Sequence, residues 1–287
     1  MDRCFLYTSA LRFDPSRSDP GFGADVVMID LEDAVHASAK DDARARLASL
    51  DLRPLVARGL RFGVRVNALS TIEGLRDLDA VHRGVAGGAL AIDYLQPPKV
   101  GSREEVAICR SIAGAMARPL RLFPIVETPE GVDDVEAIAR ESDLLLFGQA
   151  DVTAAMYRPN EAWLAQARGR FCVACARARI YPVDTKLFEE IQDMSRFEAG
   201  CRDAQAEGFM AKAIVHPRQV PVVKRVFAVD PTEIARHRAT IADYERADAG
   251  FRIVDGAVIA PPFVAKARRM LELYGALEAP PTDEEKR

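Results

Sequence analysis

Short β-forming, mostly apolar runs recur eight times along the first three-quarters of the chain. Each is followed by a stretch with helical spacing or by a polar connection, and this recurrence limits the possible folds more than any other feature. The runs lie at residues 4–8, 25–30, 62–67, 92–96, 120–126, 144–148, 179–183 and 211–215. Helix-like segments fall between them at 38–50, 102–116, 130–141 and 196–207, and 163–177 also reads as helix. The first connection is weaker, being rich in Asp, Ser, Pro and Gly. Eight strands alternating with helices favour an α/β fold closed as a parallel (βα)₈ TIM barrel over an open sheet. Several runs, Leu144-Leu145-Leu146-Phe147 above all, are apolar throughout, as expected of parallel strands buried on both faces.

After Val226 the pattern changes to a helix over 231–247, a hairpin over 251–259 turning at Asp255-Gly256, and an amphipathic last helix over 262–274. The expected organisation is a barrel over 1–227 and a C-terminal hairpin-helix extension over 228–278 that packs on a neighbouring subunit. A Pro-rich, charged tail over 279–287 is expected to be disordered. The length of 287 residues suits one barrel with an appendage, and 49% hydrophobic with 29% charged residues is ordinary for a chain that buries a large core. With 39 basic against 43 acidic residues and no Lys/Arg block, nucleic acid is not an expected partner. No apolar run reaches the roughly 20 residues that cross a bilayer, and the N-terminus turns polar too early for a signal-peptide core, so no membrane contact and a cytoplasmic location are expected. The five cysteines are scattered, and Cys172-x-x-Cys175 falls on an expected helix without a second pair, so buried thiols are the better reading than zinc or redox chemistry.

In such barrels the reacting groups sit at the carboxyl ends of the strands. Those ends carry Asp30, Glu32 and Asp33, then Arg65 and Asn67, then Lys99, Glu127, Gln149 with Asp151, and His216. Glu127 and Asp151 close consecutive strands, which lie about 4.8 Å apart, so both can converge on one point above the rim. Two hard oxygens with open positions suit Mg²⁺; the alternative is that they cap helices or meet arginines. Asp30, Glu32 and Asp33 repel one another unless a cation or donors compensate, so they either hold metal-bound water or cap the following helix. Arg65 offers a two-pronged donor to a substrate carboxylate, or alternatively a salt bridge to the Asp30 cluster. Arg65, Asn67 and Lys99 are the candidates for substrate binding, and Arg65, Glu32 and Asp33 for catalysis. His216 sits where it could reach across the mouth, though a structural role at the turn is the better reading, and His36, His82 and His237 read as surface residues.

The chain resembles the citrate lyase β-subunit-like group of the HpcH/HpaI aldolase superfamily over nearly its whole length. The matching stretches are Gly23-Ala24-Asp25 through Asp30-Leu31-Glu32-Asp33-Ala34-Val35 with Lys40 and Ala43-Arg44, then Val64-Arg65-Val66-Asn67, Pro98-Lys99-Val100 and Val126-Glu127-Thr128 with Gly131. They continue with Phe147-Gly148 through Asp151, and Gly208-Phe209 through Val215-His216-Pro217-Arg218-Gln219. The resemblance implies a Mg²⁺-dependent carbon–carbon lyase assembled as a homotrimer or hexamer. It places the metal on Glu127 and Asp151, Glu32 and Asp33 beside the metal's waters, and Arg65 on the substrate. Two departures stand out. Relatives carry Pro-Gly and then a Lys-Ala pair where this chain has Ser9-Ala10 and, over 14–22, no lysine, so a contact to coenzyme A is lost. Relatives acting on acyl thioesters carry an aspartate base where this chain has Ala260. The expected substrate is therefore a small 2-oxo or 2-hydroxy carboxylic acid, or its CoA thioester. The rivals are an acyl-CoA lyase or thioesterase with another base, and a non-catalytic binding or assembly subunit.

Overall fold

The computed structural model describes residues 1–246, 250–254 and 257–275, in two compact units, Asp2–Phe227 and a C-terminal unit from Ala228 onward. The first unit is built on nine parallel strands: β1 (Cys4–Ser9), β2 (Val26–Asp30), β3 (Phe62–Arg65), β4 (Tyr94–Gln96), β5 (Arg121–Leu122), β6 (Ile125–Val126), β7 (Leu145–Phe147), β8 (Pro182–Asp184) and β9 (Ala211–Ile214). Each of the eight expected runs contains a strand. The fifth contains two, because Phe123-Pro124 interrupts it. β5 pairs with β4 and β6 with β7, so the two halves of one broken strand complete the ring. Phe123 N donates to Leu95 O on one side at 2.9 Å, and Leu146 N donates to Pro124 O on the other at 3.0 Å. The remaining order, β4-β3-β2-β1-β9-β8-β7, is that of a closed (βα)₈ barrel.

Strand side chains alternate between two buried layers, which is why these runs are apolar on both faces. Cys4, Leu6, Val27, Ile29, Val64, Leu95 and Phe147 join the core under the surrounding helices. Their neighbours point into the barrel, where Phe5, Tyr94 and Phe123 stack edge to face or tilted at centroid separations of 4.9 to 6.0 Å. Gly63 belongs to this inner layer, since a Cβ there would come within 2.8 Å of Tyr94 Cβ and close on the Met28 thioether.

Three boundaries differ from the sequence expectation. β8 begins at Pro182 instead of residue 179, because the helix Glu161–Ala178 runs on and ends with Arg179 in the left-handed conformation. The segment 130–141 is two short helices, Pro129–Asp133 and Val135–Arg140, divided at Asp134, whose carboxylate accepts from Arg103 N at 2.7 Å. The segment 38–50 begins as a 3₁₀ turn before the helix Lys40–Ala48. Residues 10–25 carry no helix among the described residues, in line with their composition.

The C-terminal unit contains the helix Pro231–Glu245, the antiparallel pair β10 (Arg252–Val254) and β11 (Ala257–Ile259), and the helix Pro261–Leu273. The two helices are tied by an ion pair of 2.6 Å between Arg268 and Glu245, and the second buries Val264, Ala267 and Leu271. Ile253 and Val258, directly opposed across the strands, are exposed, as are Phe251 and Phe263. The expected turn at Asp255-Gly256 and the tail over 279–287 lie outside the described residues. No helix of the described residues is long and apolar enough to cross a membrane.

Candidate active site at the carboxyl ends of the strands

A cavity of about 620 Å³ opens above the carboxyl ends of the strands. Tyr7, Ile125, Leu146 and Ala213 from the inner layer line it together with Asp30, Asp33, Arg65, Glu127, Asp151 and Thr185. Thr8 and Ser9 at the end of β1, and the exposed Arg12 from the connection after it, line another part of it.

Glu127 follows β6 directly and is 4% exposed. Its Oε1 accepts the Lys99 backbone N–H at 2.9 Å. Burial, reinforced by the neighbouring charges of Glu32 and Asp151, holds its carboxyl well above the ordinary glutamate range. Room for this side chain comes from Gly148 on the adjacent strand end, where a Cβ would strike both the Glu127 Cβ and its carboxylate. Asp151 stands in the first turn of the helix Gln149–Ala154 and is partly exposed at the same cavity.

The Asp30 cluster is more ordered than a set of three carboxylates would suggest. Asp30, 1% exposed, accepts from Glu32 N at 2.9 Å and Ala34 N at 3.0 Å, and grips both prongs of Arg65 at 2.7 and 2.6 Å. Burial alone would raise its carboxyl; the Arg65 charge and hydrogen bonds outweigh burial and hold it below the usual range. Arg65 Nη1 lies 2.9 Å from Glu32 Oε2 and 3.5 Å from Asp33 Oδ2, and the guanidinium sits 5.3 Å from the Tyr7 ring centroid. The Glu32 Oε2 contact is not aligned as a hydrogen bond, so that buried oxygen has a charge beside it but no directed donor. Burial raises the Glu32 carboxyl, opposed by Arg65 and Lys99. Lys40 fixes the loop from below by donating to Leu31 O and Glu32 O, both at 2.7 Å.

Glu32, Asp33, Arg65, Lys99, Glu127 and Asp151 are thus brought together, with the Lys99 ammonium in ion contact with Glu32, Asp33 and Asp151. Arg65 makes the salt bridge to Asp30 that stood as its alternative reading, while still lining the cavity. Asn67 is placed elsewhere. Its Nδ2 donates to Asp77 at 2.6 Å and to Leu31 O at 2.9 Å, and it does not line the cavity. His216 accepts from Arg218 N in a reciprocal cap with Gln219, a structural role. His36 likewise caps a turn. All five cysteines are free.

Sequence reasoning missed a second buried network behind the rim. Arg168, 3% exposed, donates from Nη1 to Gln149 Oε1 and to Asp184 Oδ1, both at 2.8 Å, and from Nε to Glu207 at 2.5 Å. Asp184 also pairs with the fully buried Lys212. Thr185 Oγ1 accepts from Gln149 N at 3.0 Å and donates to Phe147 O at 2.7 Å. Together these groups hold the start of the helix that carries Asp151. One signal was present: Lys212 is a charge inside an otherwise apolar strand.

The profile of the HpcH/HpaI aldolase/citrate lyase family matches residues 3–217. The chain belongs to this family. Among HpcH/HpaI relatives, a (3S)-malyl-CoA thioesterase of Cereibacter sphaeroides is 28% identical over 286 residues, 96% of each chain. The citrate lyase β subunit of Leuconostoc mesenteroides subsp. cremoris is 28% identical, with 89% of this chain and 87% of the relative covered. Among solved structures, RipC from Yersinia pestis is 32% identical with a TM-score of 0.68, covering 82% of this chain and 98% of its own. The protein CitE from Mycobacterium tuberculosis, in complex with magnesium, acetoacetate and coenzyme A, is 25% identical with a TM-score of 0.70. That match covers 96% of this chain and 98% of CitE. The HpcH/HpaI family is one of enzymes, lyases and thioesterases among them.

Proposed function

We propose that this protein is a Mg²⁺-dependent carbon–carbon lyase acting on a small 2-oxo or 2-hydroxy carboxylic acid or its thioester. The observation that carries this reading is Glu127, a carboxylate 4% exposed that lines one cavity with Asp151, with burial and the neighbouring charges of Glu32 and Asp151 raising its carboxyl. The residues fit such an ion. No group of three or more His, Cys, Asp or Glu side chains among the described residues is arranged to hold a metal by itself. Two carboxylates with the rest of the shell left to water and substrate oxygens is how Mg²⁺ is commonly held. Glu127 and Asp151 would be the direct ligands, and the undirected Glu32 Oε2 would accept from an ordered water. Bound there, the cation would polarise a chelating substrate oxygen and stabilise the negative charge that builds as the bond breaks. Magnesium in the related CitE supports the assignment.

Arg65 does the rest of the positioning. Asp30 holds its fork rigidly, and the Nη1 edge beside Glu32 and Asp33 is the part that faces a substrate carboxylate. Cleavage next to a hydroxyl requires that proton to leave as the bond opens. Asp33, 57% exposed at the cavity, can take it directly or through water, while Glu32 is held by Lys99. Thr8 and Ser9 offer hydroxyls to the remaining polar atoms of the substrate. The test is calorimetric titration of Mg²⁺ into the wild type, Glu127→Ala and Asp151→Ala, followed by turnover of oxaloacetate, citramalate and malyl-CoA with and without the ion. Loss of Mg²⁺ binding in both variants, with Mg²⁺-dependent cleavage by the wild type, is expected. Equal affinity in all three would remove the reading.

A second reading, thioester hydrolysis, is favoured by the malyl-CoA thioesterase relatives. Ala260, the N-cap residue of the helix Pro261–Leu273, offers a methyl group where thioester-active relatives are expected to carry a base, and that loss typically lowers a rate by about 10²- to 10⁴-fold. Malate release that is slow in the wild type and rises in Ala260→Asp would favour the free-acid lyase. Fast release by the wild type, unchanged in the variant, would favour the thioesterase.

The assembly we propose is a homotrimer or hexamer, with the exposed Ile253, Val258 and Phe263 of the C-terminal unit covered by a second copy. Sedimentation at micromolar concentration checks this, and a monomer would contradict it.

A further inference from the structure

We propose that Lys99 is a resident counter-ion that competes with the divalent cation for the rim carboxylates and so sets how tightly this chain holds that cation. The inference rests on the metal reading above. Lys99 follows Pro97-Pro98 at the end of β4 with φ of 52°, a left-handed conformation that a lysine rarely adopts. That backbone aims two different parts of one residue at both proposed ligands. The main-chain N–H meets Glu127 Oε1 at 2.9 Å, and the ammonium, in contact with Glu32, reaches 3.7 Å from Asp33 and 3.9 Å from Asp151. Asp30, Glu32, Asp33, Glu127 and Asp151 gather here with the cations Arg65 and Lys99 among them, and Arg65 is already gripped by Asp30. Arg65 also touches Glu32 and Asp33, so the part specific to Lys99 is that it ties Asp151 to them.

A divalent ion drawn to Glu127 and Asp151 enters a site where that ammonium already neutralises part of the charge, and the two cations repel across a few ångströms. Lys99, whose side chain is 36% exposed, must swing toward solvent or stay and weaken the ion's binding. In either case the backbone bond to Glu127 remains. Lys99 acts as a positioning residue with two effects of opposite sign: it stabilises the metal-free rim and weakens metal binding.

The experiment compares the whole chain with Lys99→Met and Lys99→Gln, both of which keep the backbone N–H, using MgCl₂ as the probe. Calorimetry gives the Mg²⁺ Kd, and thermal unfolding in chelator and in saturating Mg²⁺ gives the Tm increment. We expect Lys99→Met to bind Mg²⁺ roughly tenfold more tightly, the scale expected from removing one partly screened like charge. Its Tm in chelator should fall and its Mg²⁺-induced increment should grow. Lys99→Arg should behave like the wild type. If Lys99→Met failed to fold, Lys99→Gln, which can still hydrogen-bond Glu32, would carry the same comparison. An unchanged or weaker Mg²⁺ affinity in the folded neutral variants would overturn the proposal while Glu127→Ala still lost the ion. Retention of full affinity by Glu127→Ala would overturn it together with the metal reading.

Discussion

Both oxygens of Asp30 face both prongs of Arg65, at 2.7 and 2.6 Å, with the aspartate 1% exposed. The arginine that faces the cavity is thus aimed by a carboxylate on the neighbouring strand end, and β2 and β3 are in register so that Asp30 lies directly opposite Arg65. Breaking a buried pair by removing one partner costs about 3–5 kcal/mol, because the other charge is left uncompensated. Asp30→Ala should lose stability on that scale in urea denaturation and lose turnover as well. Arg65→Lys should be the milder change for folding and the harsher one for substrate affinity, since an ammonium cannot reproduce the fork. A variant with full affinity and rate would show that Arg65 serves only the fold.

Gly148 tests the packing around Glu127. Its φ is −85°, so alanine meets no backbone penalty there, and the effect of Gly148→Ala isolates the collision with the glutamate. Overpacking of this kind costs about 1–3 kcal/mol. Mg²⁺ affinity should fall, whereas Gly114→Ala, with open space around its Cβ, should change neither stability nor affinity by much.

Acid stability should depend on Asp184. Burial pushes its carboxyl up, yet Lys212 and Arg168 outweigh burial and leave it below the ordinary aspartate range. A carboxyl depressed in the folded state adds stability at any pH above its unfolded value of about 4, and that stability is lost as pH falls from there through the folded value. Asp184→Asn should therefore be less stable than the wild type by roughly 3 kcal/mol at neutral pH. The gap should narrow below about pH 4. A gap that stayed constant with pH would mean that the network does not act through charge.

The thiols should be inert in the native protein. Burial pushes Cys4, Cys109 and Cys172 up to about 12 and Cys201 up to about 11, and raises Cys175 as well. Only the thiolate reacts, so at pH 8 a thiol at 12 is ionised about one part in ten thousand. Reaction with an aromatic disulfide reagent should be slow at pH 8 and become fast, for five groups, in denaturant. A rapidly reacting native thiol would point to chemistry at Cys172-x-x-Cys175.

The barrel was legible because eight β-forming runs, several of them apolar throughout, alternate with helical or polar segments, a pattern that survives without any tertiary information. Boundaries were less so: nothing in the run from Arg179 to Val183 reveals that the preceding helix continues to Ala178 and uses Arg179 as its left-handed cap. Strand-end position named Glu32, Asp33, Arg65, Lys99, Glu127 and Asp151, which the fold brings near one another, but could not tell which neighbours each would prefer. Asn67 shows the difference, since its choice of Asp77 over the cavity depends on the helix Ile72–Ala86 packing nearby. In the Arg168, Asp184 and Lys212 network, strand register sets Asp184 opposite Lys212, and the packing of the helix Glu161–Ala178 brings Arg168 to them, neither of which local sequence reveals.

Breaking the closing strand at Pro124 also has a consequence for how ligands act on the whole molecule. β1 and β2 share five register positions and β2 and β3 four, whereas β4 with β5, β6 with β7, β7 with β8 and β8 with β9 share two each, so the junction lies in the thinly fastened part of the ring. Glu127 is the next residue after that junction. A ligand that bound its carboxylate only in the closed ring would, by mass action, stabilise the barrel against opening. If Mg²⁺ binds there as proposed, occupancy of the site and integrity of the ring are linked in one equilibrium.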